Sequence, residues 1–168
     1  MKAWTRWYGM PLLLMVGLLP SCVPESVPES PEPIAEETTN ITAGTAAERI
    51  SQIEPILVIT LPSDLQDAYF IETRIGTDSR LAPGPSDYRS YYRLQIEPAS
   101  VELWRQVLDP LEETPPTYDA TGRPDWWVTA EKFEQLEFYK PESLTQRING
   151  WIGLHPETGE IYIFTYTT

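Results

Sequence analysis

The sequence predicts an α+β domain with a mainly antiparallel sheet of about four to five strands. Short runs rich in β-branched and aromatic residues recur between residues 56 and 166. One amphipathic helix is predicted over 98–109, and a β-hairpin is predicted at the C-terminal end. Several strands with one long helix between them form an α+β domain rather than a parallel α/β fold.

Three strands are predicted before the helix. Residues 56–61 (ILVITL) form a short apolar run bounded by prolines, which indicates a buried strand. Residues 68–75 (AYFIETRI) predict a second strand, and 88–97 predict a third. The glycines and prolines of 76–87 predict a loop between them. In the third strand the period of two places these side chains on one face: Tyr92, Leu94 and Ile96.

The helix over 98–109 is predicted from its boundaries and its periodicity. Pro98 suits the first turn of a helix. Val101, Trp104 and Leu108 recur at helical spacing, which gives the helix one apolar face. Asp109 precedes a proline, and a residue in that position is pushed out of the helical region.

A loop over 111–124 separates the helix from the last part of the chain. Residues 129–135 are expected to form one or two helical turns, and 136–139 a short strand. The clearest element is a hairpin of two strands, 147–155 and 160–166, in which Gly159 supplies the positive φ of the connecting loop. Both faces of 160–166 carry bulky side chains, which predicts a central strand or one covered on both faces.

The first residues are typical of a secretory signal peptide. Lys2 and Arg6 precede an apolar run from Met10 to Leu19. This run is about half of the roughly 20 residues that span a bilayer. We therefore expect residues 1–21 to be a signal peptide rather than a retained transmembrane helix.

The stretch Leu19-Pro20-Ser21-Cys22 resembles the lipobox of bacterial lipoproteins. The resemblance implies that Cys22 is the first mature residue and carries lipid, so that the membrane is a partner through this anchor. Pro20 departs from the pattern, which usually has a small, unhindered residue there. Val23 stands where lipoproteins of enteric bacteria can carry an Asp that resembles an inner-membrane retention signal. An outer-membrane location facing the periplasm is therefore expected for a Gram-negative source. An ordinary signal peptide followed by an unrelated cysteine is the alternative.

Residues 22–47 are expected to form a disordered tether, and 48–168 a single globular domain. The tether begins with VPES repeated twice, and it is rich in proline and glutamate. Closely spaced prolines favour an extended chain, and such a composition buries too little apolar surface to fold.

The formal net charge of −13 argues against nucleic acid as a partner, because its recognition needs clustered Lys and Arg. A basic protein or a cationic ligand is compatible with this charge. So is a charge that serves solubility alone.

The chain offers few groups for catalysis, and we expect no cofactor and no metal site. Its one histidine, His155, is predicted to be exposed in the hairpin turn, without the partners that a general base or metal ligand needs. Lipidation of Cys22 removes the single cysteine as a nucleophile. A pair of catalytic carboxylates remains possible because acidic residues are common, although no pair stands out.

The most distinctive stretch is the pair Trp126 and Trp127, which follows Arg123. Two adjacent tryptophans cannot point to the same side of a regular element. One interpretation places both in the core or its cover. The other makes an exposed tryptophan part of a binding surface with Arg123 and Tyr118, because tryptophan is enriched at binding hot spots.

The domain loosely resembles uncharacterised envelope lipoproteins that combine a Tyr-rich strand, an amphipathic helix, a Trp-Trp segment and a C-terminal hairpin. This resemblance implies no particular activity. The sequence favours a lipid-anchored envelope protein with a non-catalytic binding or structural role, including an envelope protein as partner. The alternatives are an envelope hydrolase that uses carboxylates, and an inhibitor or immunity protein against a basic partner.

Overall fold

The computed structural model describes residues 38–75, 87–112 and 114–167. The predicted signal peptide, Cys22 and most of the predicted tether lie outside these residues, and so does nearly all of the loop predicted at 76–87. In chain order the elements are β1 (Thr38–Ile41), α1 (Ala46–Ile53), β2 (Leu65–Ile75), β3 (Asp87–Ile96), α2 (Val101–Arg105), α3 (Ala130–Phe133), β4 (Glu137–Tyr139), β5 (Gly150–Leu154) and β6 (Glu160–Tyr166), with 3-10 turns at Glu54–Ile56, Pro98–Ser100 and Pro141–Ser143.

The strands form one antiparallel sheet in the order β1-β2-β3-β6-β5-β4. The α+β class with a mostly antiparallel sheet is therefore confirmed, but within the described residues the sheet has six strands where four to five were predicted. The central position of β6, between β3 and β5, is as predicted from its two bulky faces. The turn before β6 contains Gly159 with φ +67°, as predicted for the hairpin.

One face of the sheet is covered by α1, α2 and the segments that follow them. Alternate side chains of β2 and β3, among them Phe70 and Leu94, point from this face into a hydrophobic core that we call the first core. Ile53 from α1 and Trp104 from α2 are both fully buried against them. The Trp104 indole N–H donates to the Ser63 hydroxyl at 2.8 Å, which satisfies the polar atom of this core side chain.

The opposite face of the sheet is covered by an aromatic layer, which we define by these buried residues: Tyr91, Trp127, Val128, Phe133, Leu136, Trp151 and Tyr162. The strands supply Tyr91, Trp151 and Tyr162, and the segment around α3 supplies the rest. Burial on both sides explains why alternation of polar and apolar residues is weak along β6.

The prediction of a strand at 56–61 is wrong. A helix, α1, precedes this run, started by a capping box in which Thr45 and Glu48 bond to each other's backbone N–H. The chain then makes a 3-10 turn and continues without regular structure. Leu57 is buried against the first core, and the Val58 N–H donates to the Leu144 carbonyl. The apolar run thus covers the sheet instead of joining it, which its short length and pattern do not reveal.

The helix predicted over 98–109 is shorter than expected. Its start is a 3-10 turn, and α2 proper covers only five residues. The predicted apolar face is correct, since Val101, Trp104 and Leu108 are all buried. Beyond α2 the chain turns toward the edge strand β4, where the Lys140 N–H donates to the Asp109 carbonyl at 2.8 Å. Pairing with the sheet edge replaces the last helical turn.

Ordered structure also begins earlier than the predicted boundary at residue 48. Residues Thr38–Ile41 form the edge strand β1, paired with β2, and Ala46 begins α1. The side chains of β1 are small and polar except Ile41, which is buried. Composition alone therefore resembles that of the tether, while the backbone hydrogen bonds to β2 decide the structure.

Candidate functional site

Trp127 lies at the centre of the aromatic layer and is 7% exposed. Its ring contacts those of Tyr91, Trp151 and Tyr162 at centroid distances of 5.1, 5.7 and 5.5 Å. These distances and the tilted or edge-on angles are those of favourable aromatic packing. Packing therefore accounts for Trp127.

The other three predicted site residues contact the aromatic layer and are half-buried. Trp126 lies between the rings of Trp127 and Tyr69, with centroids 6.0 and 5.7 Å away. The Arg123 guanidinium lies 4.3 Å from the centroid of Phe164. Tyr118 packs on the edge of the aromatic layer, and its hydroxyl donates to the Val128 carbonyl at 3.3 Å. The structure thus brings the four residues together, and a contact surface there, formed by their exposed parts, stays a prediction.

A cleft that was not predicted from the sequence lies on the face of the sheet opposite the aromatic layer, beside the edge strand β1. We call it the Arg147 cleft. It has a volume of about 420 Å³ and is lined by side chains from three neighbouring strands, from the 3-10 turn after α1 and from the loop before β5: Thr39, Pro55, Ile56, Phe70, Glu72, Tyr92, Thr145, Gln146 and Arg147. This volume falls within the usual range for ligand sites, roughly 300–1,000 Å³.

An ion pair forms one wall of the Arg147 cleft. Arg147 Nη2 donates to Glu72 Oε2 at 2.5 Å, and Arg147 Nη1 donates to the Ser90 hydroxyl at 3.1 Å. Ser90 in turn donates to the same carboxylate oxygen at 2.6 Å. The side chains of Arg147 and Glu72 are 23% and 21% exposed. The pair is therefore held rigidly while part of each charged group still faces solvent.

The loop that carries Arg147 is fixed by backbone-directed bonds. The buried Thr145 hydroxyl donates to the Pro141 carbonyl at 3.0 Å and accepts the Arg147 N–H at 3.2 Å. On the floor of the cleft, burial raises the pKa of Tyr92 to about 12, and the Glu72 charge adds to this rise. Tyr92 therefore stays a neutral phenol at any physiological pH.

The sequence does contain a signal for this cluster. Glu72, Ser90 and Thr165 lie on neighbouring strands, at positions that continue the apolar stripes of the first core. Ser90 and Thr165 are fully buried. Polar residues in register on the core side of three strands mark the place where the apolar core ends. This register is visible only once the order of the strands is known, and the sequence does not determine that order.

A second cleft of about 420 Å³ lies between the β4 end of the sheet and the start of β5. Its lining includes Leu111, Lys140, Ile148 and Tyr166. Ile148 is 75% exposed, and the acidic residues of the lining, Glu112 and Glu142, are exposed as well. The carboxylates of this cleft are exposed, whereas the Arg147 cleft has a hydrogen-bonded ion pair in its wall, so the Arg147 cleft is the better-defined site.

Two further partly buried or buried carboxylates, Glu160 and Glu137, are bound to cations. Burial raises the pKa of Glu160, but its bonds to Lys132 and the charge of Arg93 outweigh this, so that the pKa lies below its ordinary value. The hydrogen bond from Arg105 lowers the pKa of Glu137. Both groups are ionised at neutral pH, and neither is available as a proton donor.

His155 is not the exposed turn residue that the sequence predicts, because it is buried and only 4% exposed. Its Nδ1 faces the backbone N–H groups of Glu157 and Thr158 at 3.3 and 3.4 Å, which closes the hairpin turn. The loop is short and polar, so the sequence does not reveal that packing of the turn buries His155. Within residues 38–75, 87–112 and 114–167, no group of three or more His, Cys, Asp or Glu side chains is placed to hold a metal ion.

No protein-family model matches the chain, and no curated protein or solved structure shows significant similarity to it. The described part of the chain has no helix with both the length and the apolar character needed to cross a bilayer.

Proposed function

We propose that this chain is a lipid-anchored binding domain of the bacterial cell envelope, which holds its ligand in the Arg147 cleft. Residues 1–21 direct export, and lipid on Cys22 attaches the mature protein to the membrane, on the periplasmic side of the outer membrane in a Gram-negative cell. The observation that carries the binding role is a cleft of about 420 Å³ with a rigid, partly exposed pair of opposite charges in its wall.

The anchor rests on the position of Cys22. It directly follows Leu19-Pro20-Ser21 at the end of an apolar run that begins with basic residues. Each buried CH₂ of a lipid contributes about 0.8 kcal/mol, and stable attachment takes more than one acyl chain. A cysteine that is lipidated on its sulfur and its amino group meets this requirement.

Metabolic labelling with radioactive palmitate tests the anchor. Wild-type protein should incorporate label and fractionate with membranes, while Cys22→Ser should lose the label. A Ser21→Ala variant is the matched control, because it keeps a small residue before the cysteine and should still be labelled. Equal labelling of wild type and Cys22→Ser would show that the chain is not a lipoprotein.

Binding is favoured over hydrolysis by the state of the carboxylates. In the described residues Glu72, Glu137 and Glu160 are each held by a basic side chain. Hydrolysis by a carboxylate pair needs one group that stays protonated near neutral pH. The bonds described above lower the pKa of Glu137 and Glu160, and so favour the ionised form of these two groups instead.

Inhibition of a basic partner is the second function that a specific observation favours. The net charge of −13 gives attraction to basic proteins, and it would raise their association rate. The exposed parts of Trp126, Arg123 and Tyr118 are a candidate contact for such a partner. A protein partner whose capture depends on Trp126 and not on the Arg147 cleft would support this alternative.

Native mass spectrometry of the full chain, extracted from membranes in detergent, tests the binding role. We expect a small bound molecule on wild-type protein and its loss in Thr39→Trp, because Thr39 lines the cleft from the edge strand β1. Thr39→Val is the matched control, since it keeps the size of the side chain and should retain the ligand. A bound mass that survives Thr39→Trp would place the ligand elsewhere and contradict the proposal.

A further inference from the structure

The charged wall of the Arg147 cleft has hydrogen-bonding capacity beyond the ion pair itself. A guanidinium has five N–H donors, and the bonds to Glu72 and Ser90 use two of them. The bonds that Glu72 receives from Ser90 and Arg147 both end on Oε2. The wall therefore offers further donors on Arg147 and a second carboxylate oxygen on Glu72.

The two charges compensate each other, and this restricts the ligand. A simple anion on the remaining N–H donors of Arg147 would bring an unbalanced negative charge beside the Glu72 carboxylate, which is only about one-fifth exposed. A simple cation on Glu72 would bring an unbalanced positive charge beside Arg147. Leaving a buried charge uncompensated is strongly unfavourable. A ligand with one positive and one negative group can engage both side chains and keep the charges balanced.

The remaining lining limits the size and polarity of the ligand. Phe70 and Tyr92 pack against each other in the floor, with tilted rings and centroids 4.5 Å apart, and Pro55 and Ile56 add an apolar side. Thr39 and Gln146 provide exposed polar groups at the rim. Such a lining suits a small body with a short apolar part between two charged ends.

We infer that the Arg147 cleft takes a zwitterionic ligand of the amino-acid type, a free amino acid or a short peptide. The ligand carboxylate bonds to Arg147, the ammonium bonds to Glu72, and a small side chain lies over Phe70 and Tyr92. This inference rests on the proposed function, since it names the ligand class of the same cleft.

The test uses the full chain in detergent and the dipeptide alanyl-alanine as the probe, in its L,L and D,D forms. Ligand-observed NMR titration gives Kd for the free dipeptide, for its N-acetyl form and for its C-terminal amide. Because hydrogen bonds to charged groups are the strong ones, loss of either end should weaken binding by about tenfold or more. Comparison of the two stereoisomers shows which hand the cleft prefers.

Variants locate the binding. Glu72→Gln should weaken the free dipeptide at least as much as N-acetylation does, and Arg147→Gln should have the effect of amidation. Arg105→Gln removes a partly exposed ion pair with Glu137 outside the cleft, and it should leave Kd unchanged. Thr39→Trp blocks the cleft and keeps both charged side chains, so it tests the site even where Arg147→Gln fails to fold.

Three results overturn the inference. The first is equal binding of the free, acetylated and amidated dipeptides, which would show a cleft ligand without the two charges and would leave the proposed function intact. The second is dipeptide binding that Thr39→Trp does not change, which places the site elsewhere. The third is no dipeptide binding in either stereoisomer. In that case a cleft-dependent mass in native mass spectrometry would preserve the proposed function, and its absence would end both.

Discussion

Trp127 was predicted as part of a possible binding surface, but in the structure it is a buried packing residue. Its ring is shared between side chains of three different strands, because Tyr91, Trp151 and Tyr162 come from β3, β5 and β6. The adjacent Trp126 extends toward Tyr69 on β2 and remains half-buried. The pair therefore covers the sheet from its centre toward β2, with Trp127 fully inside and Trp126 at the border.

Alanine substitution should separate these two roles. Trp127→Ala should lower the free energy of unfolding by about 3–5 kcal/mol, the usual cost of removing a large aromatic core side chain. Trp126→Ala should cost about half as much or less, because part of its surface is already in water. Urea unfolding at equilibrium measures both. Equal and small losses at the two positions would contradict the packing described for Trp127.

Gly159 is required by both its backbone conformation and its surroundings. It has φ +67°, and a Cβ there would lie 2.7 Å from the Ile96 carbonyl oxygen. Gly159→Ala should lower the free energy of unfolding by about 1–3 kcal/mol through the left-handed conformation, with an additional loss from the contact. Gly122→Ala is the matched control, because Gly122 has φ +65° and nothing within 4 Å of its Cβ position. Thermal unfolding should therefore show the larger loss at Gly159, and a larger loss at Gly122 would contradict this account.

At the scale of elements, α1 joins the edge of the sheet to its core. The helix begins with the capping box of Thr45 and Glu48 and buries Ile53. Arg49 on the same helix bonds to Asp67 at 2.5 Å and to the Ala68 carbonyl at 3.0 Å, which ties α1 to β2. Since the turn after α1 carries Pro55 and Ile56, the position of α1 also sets one side of the Arg147 cleft.

Removal of the cap should weaken this element. Thr45→Ala should lower the free energy of unfolding by about 1 kcal/mol, because the Glu48 N–H loses its acceptor. Thr45→Ser keeps the hydroxyl and should cost only a few tenths of this. Hydrogen exchange would report faster opening of α1 in Thr45→Ala. Unchanged exchange in α1 would mean that the cap does not determine where the helix starts.

The elements also show what could be predicted from the sequence. The C-terminal hairpin, β3 and the apolar face of α2 were correctly predicted, because each has a local signal in turn residues or periodicity. The run at 56–61, the polar edge strand β1 and the buried His155 were not, because tertiary contacts determine them. The Arg147 cleft was missed for the same reason: Glu72 and Arg147 are 75 residues apart and meet only when the sheet is assembled.

At the scale of the whole described domain, the sheet is covered on both faces, and ion pairs lie at its margins. Glu160 bonds to Arg93 and Lys132 near the hairpin turn, and Glu137 bonds to Arg105 beside the edge strand β4. The net charge of −13 makes these local cations important, because they hold carboxylates that would otherwise repel one another.

The stability of the protein should depend on pH in the acid range. The pKa values of Glu137 and Glu160 are lowered in the folded state from their ordinary value of 4.5. Their contribution is therefore fully present above about pH 4.5 and is lost as pH falls through the lower folded-state values. Unfolding free energies measured from pH 7 to pH 3 should show this loss. Lys132→Met should make the dependence shallower, whereas the same curve in both proteins would contradict the role of this pair.

Photo-crosslinking in cells is the most direct test of the proposal that the domain binds a ligand in the Arg147 cleft. A photoreactive amino acid replaces Gln146 at the rim of the cleft in the full chain. The same replacement at the exposed Gln135, beside α3, is the control. We predict one dominant added mass at residue 146 that is absent at 135 and is lost when Thr39→Trp blocks the cleft. Identical products at the two positions, or a product at 146 that Thr39→Trp leaves unchanged, would contradict the claim.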